Sequence, residues 1–189
     1  MILRNPLNFI SQLLTNFSKH LRNIYLNSDY YDKKISKINC RDLFYKPSPH
    51  LLSSLIKYQK KKINIDDIEI ENLWDKKNIN VKDFRKLNNF YWFFSLDLKS
   101  SKKNTQNIIS EWIIKNFRYN SKSWEFDLTS KRIIAWLSNH NLTVEGGSKD
   151  YLENFNEIIQ KQTNHLINEI KNSKIVDDKI IGCAAIILV

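Results

Sequence analysis

The sequence predicts an all-α protein built from antiparallel helical hairpins. Apolar residues recur at intervals of three and four along most of its 189 residues, a spacing typical of amphipathic helices. The chain has only three glycines and three prolines, too few for the turns of a many-stranded sandwich or barrel. In the second half the helical patterns are joined by short connections, which favour neighbouring helices that run in opposite directions.

The first half of the chain contains one clear helix and a longer irregular region. Apolar residues recur with helical spacing over residues 7–26, and Pro6 suits the first turn. We expect a loop over 27–50, a short helix over 51–58 and a short extended segment over 63–72.

The pattern becomes more regular from about residue 84. We therefore divide the chain into an N-terminal helix plus irregular region, 1–83, and a helical-hairpin segment, 84–189. The first helix of this segment is predicted to present a broad aromatic face between Phe84 and Leu98. The next two are predicted over 108–117, with Asn104 or Thr105 as cap, and over 128–140, with Asp127 or Thr129 as cap.

Two more helices are predicted after the Gly146-Gly147 pair, which interrupts the helical pattern. Ser148 is placed to cap the next helix, whose apolar residues continue to Ile170. A final apolar run begins near Asp177 and is still apolar at Val189. Because helix ends usually carry a cap or polar residues, we interpret this ending as a truncated reading frame, with a buried C-terminal helix as the alternative.

The formal net charge of +10 indicates a basic protein. Lysine far outnumbers arginine, and asparagine and isoleucine are abundant, as an A+T-rich coding sequence would produce. Arginine is the side chain best suited to phosphate and base edges, and it is scarce here. A solvated basic surface is therefore favoured over a nucleic-acid-binding surface, although such a surface would also attract other acidic polymers.

Several classes of site are not supported by the sequence. Cys40 and Cys183 form no cysteine or cysteine-histidine cluster, so we expect neither a metal site nor a disulfide framework, and no cofactor. No run of eighteen apolar residues appears, so no membrane span is predicted. The four histidines are isolated in sequence and are interpreted as surface or capping residues, and the acidic residues over 66–71 as a solvated stretch.

The distinctive feature is a concentration of aromatic residues between Phe90 and Trp136. A core rich in aromatic rings is the favoured interpretation, and a cleft whose tryptophans stack on sugar rings or bases is the alternative. Arg132, Trp136 and Asn139 are predicted to share one helix face that could receive a carboxylated sugar, with packing of the arginine on the tryptophan as the other explanation. The candidate substrate-binding residues are Trp92, Trp124, Arg132, Trp136 and Asn139.

Three segments occur in an order that resembles a known family. They are Leu87-Asn-Asn-Phe90-Tyr-Trp92, then Trp112-Ile-Ile, then Trp124 followed by Arg132-Ile-Ile-Ala-Trp136-Leu137. This succession resembles the N-terminal helical region of heparinase II/III-like proteins, in particular the bacterial uncharacterized heparinase superfamily branch. The resemblance covers about residues 84–189.

The resemblance implies an incomplete (α/α) toroid, normally followed by a β-sandwich domain. The family is related to polysaccharide lyases that cleave uronic-acid polymers by β-elimination. Its catalytic asparagine or histidine and tyrosine lie on helices beyond the matched region. We therefore assign no catalytic residue, and we expect this chain alone to be inactive, with an acidic polysaccharide as the favoured polyanion.

Two other classes of function are retained. One is a basic helical nucleic-acid-binding protein, and the other is a non-catalytic helical scaffold that binds a partner through an uncovered end. An incomplete toroid would expose apolar surface, so self-association is also expected. The polar residues that interrupt the N-terminal apolar pattern argue against a signal peptide and favour a cytoplasmic location, with the periplasm as the alternative if the family role is retained.

Overall fold

The computed structural model describes residues 6–37, 74, 79–96 and 99–189. These residues are mostly helical and contain no β-strand, which confirms the all-α prediction. No helix within these ranges is both long and apolar enough to cross a bilayer. The helix predicted over 51–58 and the extended segment predicted over 63–72 lie outside the described residues.

Residues 6–37, the part of the N-terminal region described before residue 74, form two helices. Helix α1 spans Pro6–Leu26, as predicted. Helix α2 spans Asp29–Ile35, where a loop was expected. It begins because the Ser28 hydroxyl accepts a hydrogen bond from the Tyr31 N–H, and because acidic residues in its first turn and lysines in its last turn suit the helix dipole.

The aromatic segment is not one helix, contrary to the prediction. Helix α3 spans Val81–Asn88, and a short 3-10 helix spans Tyr91–Ser95. Between them Phe90 has a φ of 57°, a left-handed conformation that is costly for a bulky residue. The phenylalanine is fully buried, so packing of its ring compensates for this backbone strain.

The next helices form where predicted, but with different caps. Helix α4 spans Lys102–Asn116, and its cap is Ser101, whose hydroxyl accepts from the Asn104 N–H. Helix α5 spans Phe126–Ser138 and begins before both expected caps, with no side-chain cap at Glu125. The expected caps failed because each of those residues already lies inside its helix.

Three more helices lie C-terminal to α5, one before the glycine pair and two after it. A single-turn helix, α6, spans His140–Thr143, helix α7 spans Lys149–Glu169 and helix α8 spans Val176–Leu188. The prediction that Ser148 caps α7 is confirmed, since its hydroxyl accepts from the Tyr151 N–H at 3.3 Å.

Helix α5 lies at the centre of the described residues and is buried along most of its length. It packs most closely against α8, and also against α7 and the 3-10 helix. Helix α4 packs against α6 and α7, and α2 packs against α7. Helix α8, the closest neighbour of α5, is therefore distant from it in sequence. Helices α7 and α8, which are joined by a short connection, also pack against each other.

Gly182 is the residue that permits α5 and α8 to approach so closely. A Cβ atom at this position would lie 2.4 Å from Cζ of Phe126. We expect Gly182→Ala to lower the free energy of unfolding by about 1–3 kcal/mol through overpacking, although alanine is the better helix former. Urea titration followed by circular dichroism would measure the change. Cys183→Ala, at the exposed neighbouring position, is the control, and a Gly182→Ala protein as stable as the wild type would contradict the prediction.

Candidate functional site

The tryptophans that stand out in the sequence lie mainly in the interior. The ring of Phe90 meets that of Trp136 at a centroid distance of 5.0 Å and that of Trp112 at 6.1 Å, both edge to face. The Trp112 and Trp136 rings are 5.5 Å apart, again nearly perpendicular. Edge-to-face packing is a favourable geometry for aromatic rings, so these residues form a well-packed aromatic core.

Arg132 lies in the middle of this aromatic core and is fully buried. Its guanidinium carbon is 4.0 Å from the centre of the Trp112 ring and 6.0 Å from that of Trp136. Four of its hydrogen bonds go to groups from different parts of the chain. The acceptors are the carbonyl oxygens of Asn88 (2.8 Å) and Ser123 (3.1 Å), Oε1 of Gln162 (3.1 Å) and Oγ1 of Thr129 (3.2 Å).

The guanidinium therefore links α3, the turn before α5, α5 itself and α7. Burial lowers the pKa of Arg132 well below its usual value. Among the described residues no carboxylate pairs with it, so neutral acceptors and the face of Trp112 compensate for the lost hydration. The arginine is thus packed among tryptophan rings, but the ring closest to it is that of Trp112 rather than that of Trp136 on its own helix.

The other candidate substrate-binding residues do not gather around Arg132 in one open cleft. Asn139 is buried and donates to the Ala135 carbonyl at 2.8 Å. Trp124 is buried, and its Nε1 donates to the Asn116 carbonyl at 3.0 Å. Trp92 is half-buried, with Nε1 donating to the Leu87 carbonyl at 3.2 Å. Only Trp92 of the five presents a substantial part of its side chain to solvent, so sugar binding by this set stays a prediction.

A second buried cluster was not predicted from the sequence. The Tyr31 hydroxyl lies 2.8 Å from Nδ1 of His165, and Nε2 of His165 lies 3.1 Å from the Trp124 carbonyl oxygen. Because a carbonyl can only accept, Nε2 carries the proton and Nδ1 accepts from the tyrosine. The Tyr119 ring also packs here, 5.3 Å from the imidazole. We call Tyr31, Tyr119, Trp124 and His165 the tyrosine-histidine cluster.

Burial dominates the electrostatics of the tyrosine-histidine cluster. It lowers the pKa of His165 from 6.5 to about 4, and it raises the pKa values of Tyr31 and Tyr119. The imidazole is therefore neutral at pH 7, and both of its nitrogens are engaged within the protein. Histidine and tyrosine are chemically suited to proton transfer, but these two offer no free group to a substrate.

The expectation that every histidine lies at the surface or caps a helix is wrong for His165, which is 3% exposed. His20 is exposed, and His50 lies outside the described residues. His165 directly precedes the buried Leu166 in the sequence. Its hydrogen-bond partner Tyr31, however, is 134 residues away. Nothing in a single sequence indicates that pairing.

A buried lysine joins α2 to α7. Nζ of Lys161 donates to Oδ1 of Asp32 at 2.9 Å and lies 4.1 Å from the centre of the Phe117 ring. The lysine side chain is 1% exposed and that of the aspartate 23%. An ion pair with one such buried partner is costly to break, because the remaining ammonium would be left desolvated.

We expect Asp32→Ala to lower the free energy of unfolding by about 2 kcal/mol, since it leaves the buried Lys161 ammonium without its carboxylate. Asp29→Ala is the matched control, because Asp29 lies in the same first turn and pairs with Arg118 in solvent. That control should change stability by no more than about 0.5 kcal/mol. Urea titration measures both, and equal effects of the two substitutions would contradict the role given to Lys161.

Other features of the described surface offer little chemistry. No group of three histidine, cysteine, aspartate or glutamate side chains within these ranges is arranged to hold a metal ion. The acidic stretch over 66–71 lies outside them. A partly open cavity of about 370 Å³ lies between α4 and α7, lined by Ser110, Ile113, Ile114, Phe117 and Asn154. None of these side chains titrates, so the cavity suits packing rather than acid-base catalysis.

Many cations of the described surface are paired with carboxylates. Arg85 forms ion pairs with Glu125 and Asp127, and Lys102 pairs with Glu145. These pairs neutralise positive charge locally.

Comparison with models of known protein families finds no match to this chain. The curated proteins contain no match, and neither do the solved structures. The resemblance to heparinase II/III-like proteins therefore depends on the residues of the 84–189 segment.

Proposed function

We propose that this chain corresponds to the N-terminal helical region of a heparinase II/III-like protein and serves as a non-catalytic scaffold within an incomplete (α/α) toroid. The observation that supports this proposal is that Trp112 and Trp136 lie against the buried Arg132 guanidinium, with the Phe90 ring packed on both tryptophans. These residues belong to the three segments that carry the resemblance.

Their spacing has a physical explanation. Arg132 and Trp136 are four residues apart and share a face of α5, while Trp112 comes from α4 to stack on the guanidinium. The backbone of α3 and of the turn before α5 then supplies the carbonyl acceptors. The meeting of these residues around one arginine supports the interpretation of the ordered motif as a folding signature shared with the family.

The scaffold role is favoured over catalysis by the described side chains. The buried histidine and tyrosine best suited to proton transfer are hydrogen-bonded to each other and to the protein backbone. By analogy with the family, the substrate class would be a uronic-acid polymer, and the catalytic groups would come from helices beyond the matched segment.

The purified chain should give no turnover of heparin, heparan sulfate or alginate. Appearance of the ultraviolet absorbance of an unsaturated uronate product would measure β-elimination directly. Reproducible turnover would refute the non-catalytic part of this proposal.

The substrate class is tested by binding. Fluorescence anisotropy with labelled heparin or alginate oligosaccharides, compared with single-stranded DNA of similar charge at the same salt concentration, should show tighter binding to the oligosaccharides. Tighter binding to DNA with a steep salt dependence would instead support the nucleic-acid alternative.

A further inference from the structure

Helix α1 extends away from the other described helices. Every residue from Ile10 to Leu21 is exposed. Among the described residues, the helix contacts its neighbours near its C-terminal end, where Arg22 pairs with Glu169 and Tyr25 packs on Tyr31. Most helical stability in proteins comes from packing of an amphipathic face rather than from helix propensity, so α1 is expected to gain from a partner that covers it.

Most of the uncovered apolar side chains of α1 form a narrow seam, and Leu13 lies beside it. Its members are 50–64% exposed and consist of Ile10, Leu14, Phe17, Leu21 and Ile24. Their spacings are four, three, four and three, a repeat of 3.5 residues that corresponds to the a and d positions of a heptad. Such a seam packs as knobs into the holes of another helix, whereas a helix that lies on a membrane or a globular core shows a wider stripe.

We propose that the α1 seam associates with the same seam of other copies of this chain as a short coiled coil. Leucine occupies the a positions and isoleucine two of the three d positions, a combination that favours more than two strands in parallel assemblies. This self-association goes beyond the proposed function, because it uses a helix outside the 84–189 segment.

Charge is compatible with pairing between copies. Helix α1 contains no acidic residue, and its flanking positions next to the seam include Ser11 and Ser18. Its charged residues, Lys19 and Arg22, are off the seam, and Arg22 is already paired. Lys19 alone would bind an anionic membrane weakly, because such binding usually requires a cluster of basic residues.

The area of the seam is sufficient for a specific contact. The five seam residues and Leu13 are six half-exposed apolar side chains. Each presents on the order of 100 Å² of solvent-accessible surface. A pair of copies would then bury roughly 1,200 Å², the lower end of the range for specific protein interfaces.

Sedimentation equilibrium of the full chain across the micromolar range tests the proposal. We expect concentration-dependent oligomers for the wild type and at least a roughly tenfold weaker association for Phe17→Asp, because a charge at a d position would be buried in the seam. Asn16→Asp introduces the same charge on the exposed neighbouring position and should associate like the wild type. A monomeric wild type, or equal association of Phe17→Asp, would overturn the proposal.

Two further readouts separate this surface from other causes. Because each copy carries a net charge of +10, higher salt should strengthen self-association, whereas it would weaken binding to any polyanion. Cosedimentation with phosphatidylserine-containing vesicles tests the lipid alternative, and a monomer that binds vesicles through Phe17 would assign the seam to a membrane.

Since Phe17 is 62% exposed, Phe17→Asp should keep the wild-type urea midpoint, so that loss of association cannot be attributed to unfolding.

Discussion

Arg132→Lys is expected to lower the free energy of unfolding by about 3–5 kcal/mol, a large share of the stability of a typical domain. Lysine keeps the buried charge but loses the planar face that stacks on Trp112 and the fork that reaches several acceptors. The carbonyl oxygens of Asn88 and Ser123 would then be left buried and unpaired, at a cost of about 1–3 kcal/mol each.

Arg118→Lys is the matched control, because Arg118 is exposed and pairs with Asp29 at the surface. That substitution should change the free energy of unfolding by less than about 0.5 kcal/mol. Urea titration monitored by tryptophan fluorescence and circular dichroism would compare the two. An Arg132→Lys protein with wild-type stability would show that the guanidinium is not the link between these helices.

Acidification is expected to destabilise the protein through His165. Its pKa is about 4 in the folded state, against 6.5 when solvated, so between these pH values the unfolded chain binds more protons. The stabilising contribution is complete above pH 6.5 and is lost as the pH falls toward 4. Over this range the loss amounts to about 3 kcal/mol.

His165→Gln isolates this effect, because glutamine can retain polar contacts without titrating. Urea titrations at pH 7 and pH 4.5 should show a larger acid loss for the wild type than for the variant. Acid titration of surface carboxylates affects both proteins equally and cancels in the comparison. If both proteins lose the same free energy of unfolding between pH 7 and pH 4.5, protonation of His165 is not what destabilises the wild type in acid.

Local signals in the sequence predict the helices well, but not how they are arranged. Periodicity places α1, α4, α5, α7 and α8, and the short-range bond of Ser148 makes its cap predictable. The break at Phe90 was missed because its left-handed backbone depends on burial of the ring, a tertiary effect. The close packing of α5 on α8 depends on Gly182 facing Phe126, which periodicity does not encode.

The same limit applies to the candidate site. The four-residue spacing correctly places Arg132 and Trp136 on one face of α5, but not which side of the helix faces solvent. Because α5 is buried on nearly all sides, that face lies in the core. The tyrosine-histidine cluster could not be predicted for a different reason, because its hydrogen bond joins residues that are 134 positions apart in the sequence.

Because α5 is buried and α1 is exposed, the backbone amides of these two helices should exchange with solvent at very different rates. Backbone amides of α5 are shielded by α7 and α8 and tied to them through Arg132, so they should exchange with solvent deuterium only when the whole molecule unfolds. Amides of the exposed α1 should exchange by local fraying, many orders of magnitude faster in the monomer. Deuterium uptake followed by mass spectrometry would resolve the two rates, and slow exchange in α1 at high protein concentration would reveal its protection by another copy.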